Sequence, residues 1–158
     1  MLRADAQEIH DRIVNALAPF CQRIEVAGSF RRRKSEVGDL DFVVIPKTQV
    51  LFVKAVWDLY GRKPEKCGDK YLMLASFDGI QVDFYLATPE TWPTLWLIRT
   101  GSAEHNILLC ARAKQVGLRL HADGRGLEWF GGFLRAESEQ DIFDALDLPY
   151  REPWEREC

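Results

Sequence analysis

Gly38-Asp39-Leu40-Asp41-Phe42-Val43-Val44-Ile45-Pro46 is the stretch on which the fold turns. Its β-branched and aromatic run predicts a strand over 39–45, ended by Pro46. Successive side chains of a strand point to opposite faces. Asp39 and Asp41 therefore share one face, while Leu40, Phe42 and Val44 share the other. Further along, Gln81-Val82-Asp83-Phe84 offers a third carboxylate on another predicted strand. There Ile80, Val82, Phe84 and Leu86 form the buried stripe, and Asp83 lies opposite them with Gln81 and Tyr85, on a side left free for a cleft. Three close carboxylates repel one another unless a cation neutralises them. Oxygen-only ligands suit hard divalent ions such as magnesium. Two such ions can clamp the attacking and leaving oxygens of a phosphoryl transfer.

Ten residues before Gly38 the chain reads Gly28-Ser29-Phe30-Arg31-Arg32-Arg33-Lys34. Gly28 lets the backbone approach a phosphate closely, and Ser29 can donate a hydrogen bond to it. The basic run suits a triphosphate. A lone Asp-x-Asp is weak, because many strands end in solvated aspartates. The combination with Gly-Ser, the basic run and an in-phase third aspartate carries the reading: metal-dependent nucleotidyl transfer, with Asp39, Asp41 and Asp83 as catalytic and metal-binding residues.

With 158 residues the chain is long enough for one domain or two small lobes sharing a core. Its apolar runs are too short for a membrane span, and the N-terminus lacks the apolar stretch of a signal peptide, so the expected location is intracellular, in the cytoplasm or nucleoid. Cys21, Cys67, Cys110 and Cys158 lie far apart without a C-x-x-C pair, so they read as reduced thiols rather than a zinc site or disulfide framework. A net charge of -3 is unusual for a nucleic-acid protein, so DNA contact must use local basic patches and be weak and salt-sensitive. Arg62, Lys63, Lys66 and Lys70 are a candidate for such a patch, although charge patterning alone favours a solvated loop.

Around the acidic strands the pattern alternates helix and strand. A helix is predicted over 4–18, closed by Pro19, then a strand over 23–26 entering a Gly28-Ser29 turn. Thr48 caps a helix to Tyr60 with Gly61 past its end, and strands over 71–76 and 80–86 flank an Asp78-Gly79 hairpin turn. Thr88-Pro89 reads as a helix start leading to Thr100-Gly101-Ser102, and Ser102 caps a helix through Gln115. A hairpin turning near Asp123-Gly124 follows, then a capping box at Ser138-Glu139-Gln140-Asp141 and a charged, proline-containing tail. The expected fold is α+β: a palm of a small mixed sheet flanked by helices over 1–97, then a helical and β-hairpin lobe over 98–158. Trp57, Trp92 and Trp96 read as core, His105 as a helix-surface histidine, and Trp129 and Trp154 as buried or exposed with equal weight. His10 and His121 have no ligand neighbours that would suggest a metal.

The Gly28-Ser29, Gly38-Asp39-Leu40-Asp41 and Asp83 series resembles the nucleotidyltransferase superfamily. Thr100-Gly101-Ser102 with Asn106 is similar to the nucleotide-binding segment of family X DNA polymerases. Ser138 to Asp144 and Tyr150-Arg151-Glu152-Pro153 resemble that family's C-terminal segment, so the likeness runs from about Arg3 to the chain's end. The resemblance implies a thumb-type C-terminal lobe and two magnesium ions, replaceable by manganese, held by Asp39 and Asp41, with Asp83 on the catalytic ion. It implies that Ser29, Arg32 and the Gly28 and Gly38 backbone hold the triphosphate, and that Thr100, Gly101 and Ser102 line the sugar. Asn106 would reach the minor-groove edge of the incoming base, and Arg3 would lie near the terminal phosphate. The implied partners are gapped or primer-template DNA and a deoxynucleoside triphosphate, met by a monomer without a membrane. The implied activity is short-gap filling in DNA repair.

Departures from the family pattern bear on that expectation. The lyase domain and helix-hairpin-helix clamps of larger members do not precede the palm residues here, so lyase activity is not expected, and grip on DNA should be poor or come from a partner protein. Gln81 stands where beta-like members have an arginine near the primer terminus, which removes a favourable contact. Ile98-Arg99 replaces the aromatic pair that crowds the sugar 2' position, leaving ribonucleotide discrimination open and Arg99 free to meet DNA or nucleotide. Cys110 replaces an arginine that tracks the template minor groove, which predicts lower fidelity. Two rivals therefore stand beside templated synthesis. One is a template-independent, RNA-directed or ribonucleotide-accepting nucleotidyltransferase, and the other an idle DNA-end-binding scaffold.

Overall fold

The decisive strand, β2 (Asp39–Pro46), lies second in a five-stranded mixed sheet. Its neighbours are β1 (Cys21–Val26), antiparallel, and β5 (Ile80–Leu86), parallel. β4 (Tyr71–Phe77) pairs antiparallel with β5, and the two-residue β3 (Lys66–Cys67) completes the edge. The computed structural model describes residues 1–157; Cys158 lies outside them. Cys21, Cys67 and Cys110 are free.

One face of the sheet is covered as its alternation requires. Leu40, Phe42 and Val44 of β2, Val82 and Phe84 of β5 and Leu72 and Leu74 of β4 are fully buried. They pack under α1 (Arg3–Leu17), through Ile9, Ile13 and Leu17, and α3 (Gln49–Tyr60), through Phe52 and Val56. Gly61, in the left-handed region, ends α3 as expected. Thr48 takes the cap position of α3 without making a side-chain cap.

The opposite face is divided along its length. Val43, Ile45 and Ala87 pack against Trp92 and Leu95 of α4 (Trp92–Thr100). Leu97 and Ile98, later on α4, belong instead to the C-terminal core. That core gathers Leu109 and Ala113 of α5 (Ala103–Gln115), Leu120 of β6 (Arg119–His121), Leu127 of β7 (Gly126–Trp129) and Ile142 and Phe143 of α6 (Glu139–Ala145). Since α4 serves both cores, the two halves share a helix rather than a linker. The acidic end of β2 is left at the junction.

Several expectations need correction. The Gly28-Ser29 turn is a four-residue helix, α2 (Gly28–Arg31). The helix expected at Pro89 begins at Trp92, because the Thr88 carbonyl accepts from both Thr91 N and Trp92 N and closes a turn first; Pro93 takes the first helical turn. The C-terminal hairpin gains a third strand, β8 (Gly132–Leu134), on a second tight turn. The tail is not loose: Pro153–Glu155 forms a 3-10 turn, and Arg156 is fully buried. Trp57 is 40% exposed, one position beyond the Phe52–Val56 stripe, whereas Trp92 is core. His105 is fully buried rather than on the helix surface, because the inner face of α5 is set by His105, Leu109 and Ala113. Trp129 and Trp154 are exposed.

Candidate active site

Parallel pairing of β2 with β5 sets Asp41 directly beside Asp83, and Asp39 beside Gln81. Ligand oxygens of Asp39, Asp41 and Asp83 all lie within 4.8 Å of one another. Asp83 is buried, contrary to the open cleft expected for it. Its two oxygens are held by neighbours: Tyr71 Oη donates to Oδ1 at 2.7 Å, and Gln81 Nε2 donates to Oδ2 at 2.8 Å. Burial, then the charges of Asp39 and Asp83, push the Asp41 carboxyl up to about 7, against the pull of Arg99 and the Tyr85 phenol. Burial, then the charge of Asp83, raise Asp39 as well. Three crowded carboxylates offering hard oxygen donors fit a divalent cation, whose charge would relieve both the burial and the repulsion felt by Asp39 and Asp41.

The Gly28-Ser29 segment is fastened to the triad. Ala27 N donates to Asp41 O at 2.7 Å. Gly28 has φ +57°, and a Cβ there would collide with the Asp41 carboxylate, so glycine is required for both conformation and space. Ser29 Oγ is buried and has no partner among the described residues, so its donor is available to a ligand. Arg32 Nη1 donates to the Thr100 carbonyl, and Arg32 Nε to Glu157 Oε1 at 2.5 Å. Gly101 comes close to Arg32 too, since a Cβ there would lie 3.1 Å from Nη1. Ser102 Oγ caps α5 by accepting from His105 N at 3.2 Å. Asn106 Nδ2 donates to Ile98 O at 2.8 Å, and its buried Oδ1 has no partner among the described residues. Gly38 is exposed with open space around it. Arg3 donates to the Phe30 carbonyl and lies over the Phe30 ring, behind this segment.

The basic run is less free than its sequence suggests. Arg31 donates to Glu139 Oε1 and Oε2 at 2.7 and 2.9 Å and to Thr100 Oγ1 at 2.6 Å, and its guanidinium lies 3.3 Å from the Trp96 ring centre. Glu139 also receives two 3.0 Å bonds from the buried Arg156 and one from Tyr150 at 3.2 Å. Although burial opposes it, the Arg31 and Arg156 hydrogen bonds and charges bring the Glu139 carboxyl down to about 2. Glu139 and Arg156 went unread as site-supporting residues, because their partners are distant in sequence. Tyr71, Gln81 and Tyr85 were visible only in part: strand phase puts Gln81 and Tyr85 on the Asp83 face, and pairing across the Asp78-Gly79 hairpin adds Tyr71. Arg99 lies 4.0 Å from the Tyr85 ring centre, with its Nε buried and without a partner among the described residues.

A five-stranded palm-like sheet with an acidic triad, sharing a helix with a small C-terminal lobe, defines the class, and comparison with known proteins narrows it. The DNA polymerase beta thumb family matches residues 95–157. The chain is 32% identical over 134 residues to DNA polymerase/3'-5' exonuclease PolX of Bacillus subtilis, covering 83% of this chain and 24% of that protein. It is 30% identical over 188 aligned residues to rat DNA polymerase lambda, covering 99% of this chain and 33% of that protein. DNA nucleotidylexotransferase of Xenopus laevis is 33% identical over 95 residues, 59% of this chain and 18% of that protein. The chain thus spans a third or less of the length of these relatives. It is a family X polymerase-like protein. Among the described residues, no helix is long and apolar enough to cross a membrane.

Proposed function

We propose that the chain is a DNA-directed nucleotidyltransferase that adds a deoxynucleotide to a primer 3'-hydroxyl and fills short gaps during repair. One observation carries this reading: three mutually repelling carboxylates within 4.8 Å of one another, set against a glycine-serine segment whose buried hydroxyl has no partner among the described residues. Two divalent cations, magnesium or manganese, would neutralise the triad and the developing charge on the phosphates. Asp39 and Asp41 are the residues to hold both ions, and Asp83 to hold one. Ser29 Oγ, Arg32 and the Gly28 and Gly38 backbone meet the triphosphate, while Thr100, Gly101, Ser102 and Asn106 line the sugar and base. In the reaction the 3'-hydroxyl gives its proton to Asp83. Its oxygen bonds the α-phosphorus, and the bond to the bridging oxygen breaks, releasing pyrophosphate. Positioning and charge stabilisation supply most of the rate. Within this reading residues 1–97 act as the palm and 98–158 as the lobe that closes on the nascent pair, with α4 as their shared element.

A second reading, template-independent addition, is favoured by the likeness to the nucleotidylexotransferase and by Gln81, whose amide is committed to Asp83 rather than to a primer. Primer extension on a one-nucleotide gapped duplex and on a single strand, with magnesium or manganese, tests both. Extension only on the gapped duplex, with the templated base and lost in Asp39→Ala, is the expected result. Untemplated extension of the single strand selects the second reading. No extension on either substrate, with wild type equal to Asp39→Ala, refutes both.

A further inference from the structure

We propose that Tyr71 and Gln81 form a neutral two-point clamp that positions the Asp83 carboxylate for metal binding and for the reaction. The inference rests on the nucleotidyl-transfer reading of the triad and names two residues beyond those that touch substrate. Tyr71 Oη meets Oδ1 at 2.7 Å and Gln81 Nε2 meets Oδ2 at 2.8 Å, so each carboxylate oxygen has its own donor. An ionised carboxylate has about four lone-pair directions. The clamp uses two, fixes the carboxylate plane, and leaves one on each oxygen for a cation or a hydroxyl. Asp83 is 3% exposed, so water cannot substitute for either donor at low cost.

The chemistry of the donors matters as much as their place. A cationic donor would satisfy Asp83 with a full charge and compete with the metal for the triad. A phenol and an amide orient the carboxylate and leave its charge available. A phenol ordinarily titrates at ~10, so Tyr71 is a neutral donor at working pH. Its ring is steadied by Tyr85, whose centroid lies 5.2 Å away, and Arg99 packs on Tyr85 in turn. The strand register builds the clamp. Tyr71 pairs with Tyr85 and Met73 with Asp83, so the long phenol reaches diagonally along the shared face, while Gln81 reaches from two residues up its own strand.

Partners that orient a metal ligand change affinity or activity by about 10–100-fold when removed. The test compares wild type, Tyr71→Phe, Gln81→Leu and the double variant by Mn2+ titration, read from the free-ion electron paramagnetic resonance signal, and by single-turnover nucleotide addition. Tyr71→Phe should bind Mn2+ about tenfold more weakly and add nucleotide about 10–100-fold more slowly at saturating nucleotide, with secondary structure intact and the melting temperature lowered by no more than one lost buried hydrogen bond accounts for. The double variant should lose more than either single one. Gln81→Glu, which swaps a donor for a like charge, should be worse than Gln81→Leu in both readouts. Wild-type Mn2+ affinity and rate in Tyr71→Phe overturn the clamp. If the wild type binds Mn2+ but adds no nucleotide, the functional reading fails, and the Mn2+ titration alone still decides for or against the clamp. A wild type that binds no Mn2+ overturns both.

Discussion

Asp41→Asn tests the electrostatics of the site most directly. In the folded, metal-free chain the Asp41 carboxyl is pushed from 3.8 to about 7, chiefly by burial and then by Asp39 and Asp83. That difference corresponds to ~4 kcal/mol. The folded value lies above the unfolded one, so this contribution is fully present below about pH 4 and is lost as pH rises through about 7. Chelated wild type should therefore weaken by up to ~4 kcal/mol between pH 4 and pH 8 through this residue alone. The amide that Asp41→Asn introduces cannot ionise, so the variant keeps that stability. At pH 8 in chelator it should melt up to ~8–16 °C above wild type, at ~2–4 °C per kcal/mol for a chain of this size. Magnesium reverses the order of benefit: it binds the ionised triad, and at a hundredfold excess over its dissociation constant stabilises by ~2.7 kcal/mol. That gain should appear in wild type and fade in Asp41→Asn. The assay is thermal denaturation from pH 4 to pH 8 in chelator and in magnesium. Parallel pH profiles for the two proteins in chelator would refute the argument that the triad stores repulsion.

Other perturbations follow from the same geometry. Glu139→Ala leaves Arg31 and the fully buried Arg156 without their carboxylate partner and should cost ~3–5 kcal/mol by urea denaturation; in wild type the Glu139 contribution is present above about pH 4.5 and lost as pH falls through about 2. Gly28→Ala drives a Cβ into the Asp41 carboxylate at positive φ, and Mn2+ titration should show at least about a tenfold loss of affinity with secondary structure intact. His105 has both ring nitrogens buried without partners among the described residues, and its pKa is brought down to about 4 chiefly by burial, so its stability contribution is present above about pH 6.5 and lost as pH falls through about 4. His105→Leu should therefore remove part of the acid sensitivity, by up to ~3 kcal/mol near pH 4 in denaturant titrations.

The readable part of the site was the part written in local periodicity. Strand phase alone put Asp39 with Asp41 and set Asp83 opposite Ile80, Val82 and Phe84, and the helix caps at Ser102 and Ser138 are one-turn patterns. What phase cannot supply is which strands become neighbours. Asp41 meets Asp83 because β2 and β5 pair in parallel, a register decided by the apolar stripe beneath them. His105 misled because its helix leaves Ile107 69% exposed and buries an imidazole instead, so hydropathy points to the wrong face. Glu139 reads locally as the first residue of a capped helix, yet its main partner, Arg31, lies 108 residues earlier. Nothing in either segment alone announces that pair.

The basic run shows how far such distant pairing reshapes a motif. Arg31 goes to Glu139, Arg33 packs on Trp154, and Arg32 and Lys34 share Glu157 at 2.5 and 2.7 Å. The four cations therefore tie the phosphate-facing segment to the C-terminal residues. Under the proposed function, a triphosphate that claims Arg32 must take it from Glu157. Although burial opposes it, the hydrogen bonds from Lys34 and Arg32 hold the Glu157 carboxyl below its ordinary range. Both partners are partly exposed, so the pair is worth only ~1 kcal/mol or less, a small barrier against a polyanion with several times the charge. Glu157→Gln should accordingly tighten nucleoside triphosphate binding by a few-fold, most at low salt, as read by calorimetric titration in magnesium. Arg32→Ala should weaken the same binding, and in that background Glu157→Gln should have no further effect. If Glu157→Gln instead weakens binding, the carboxylate is aligning Arg32 for the phosphate rather than competing with it.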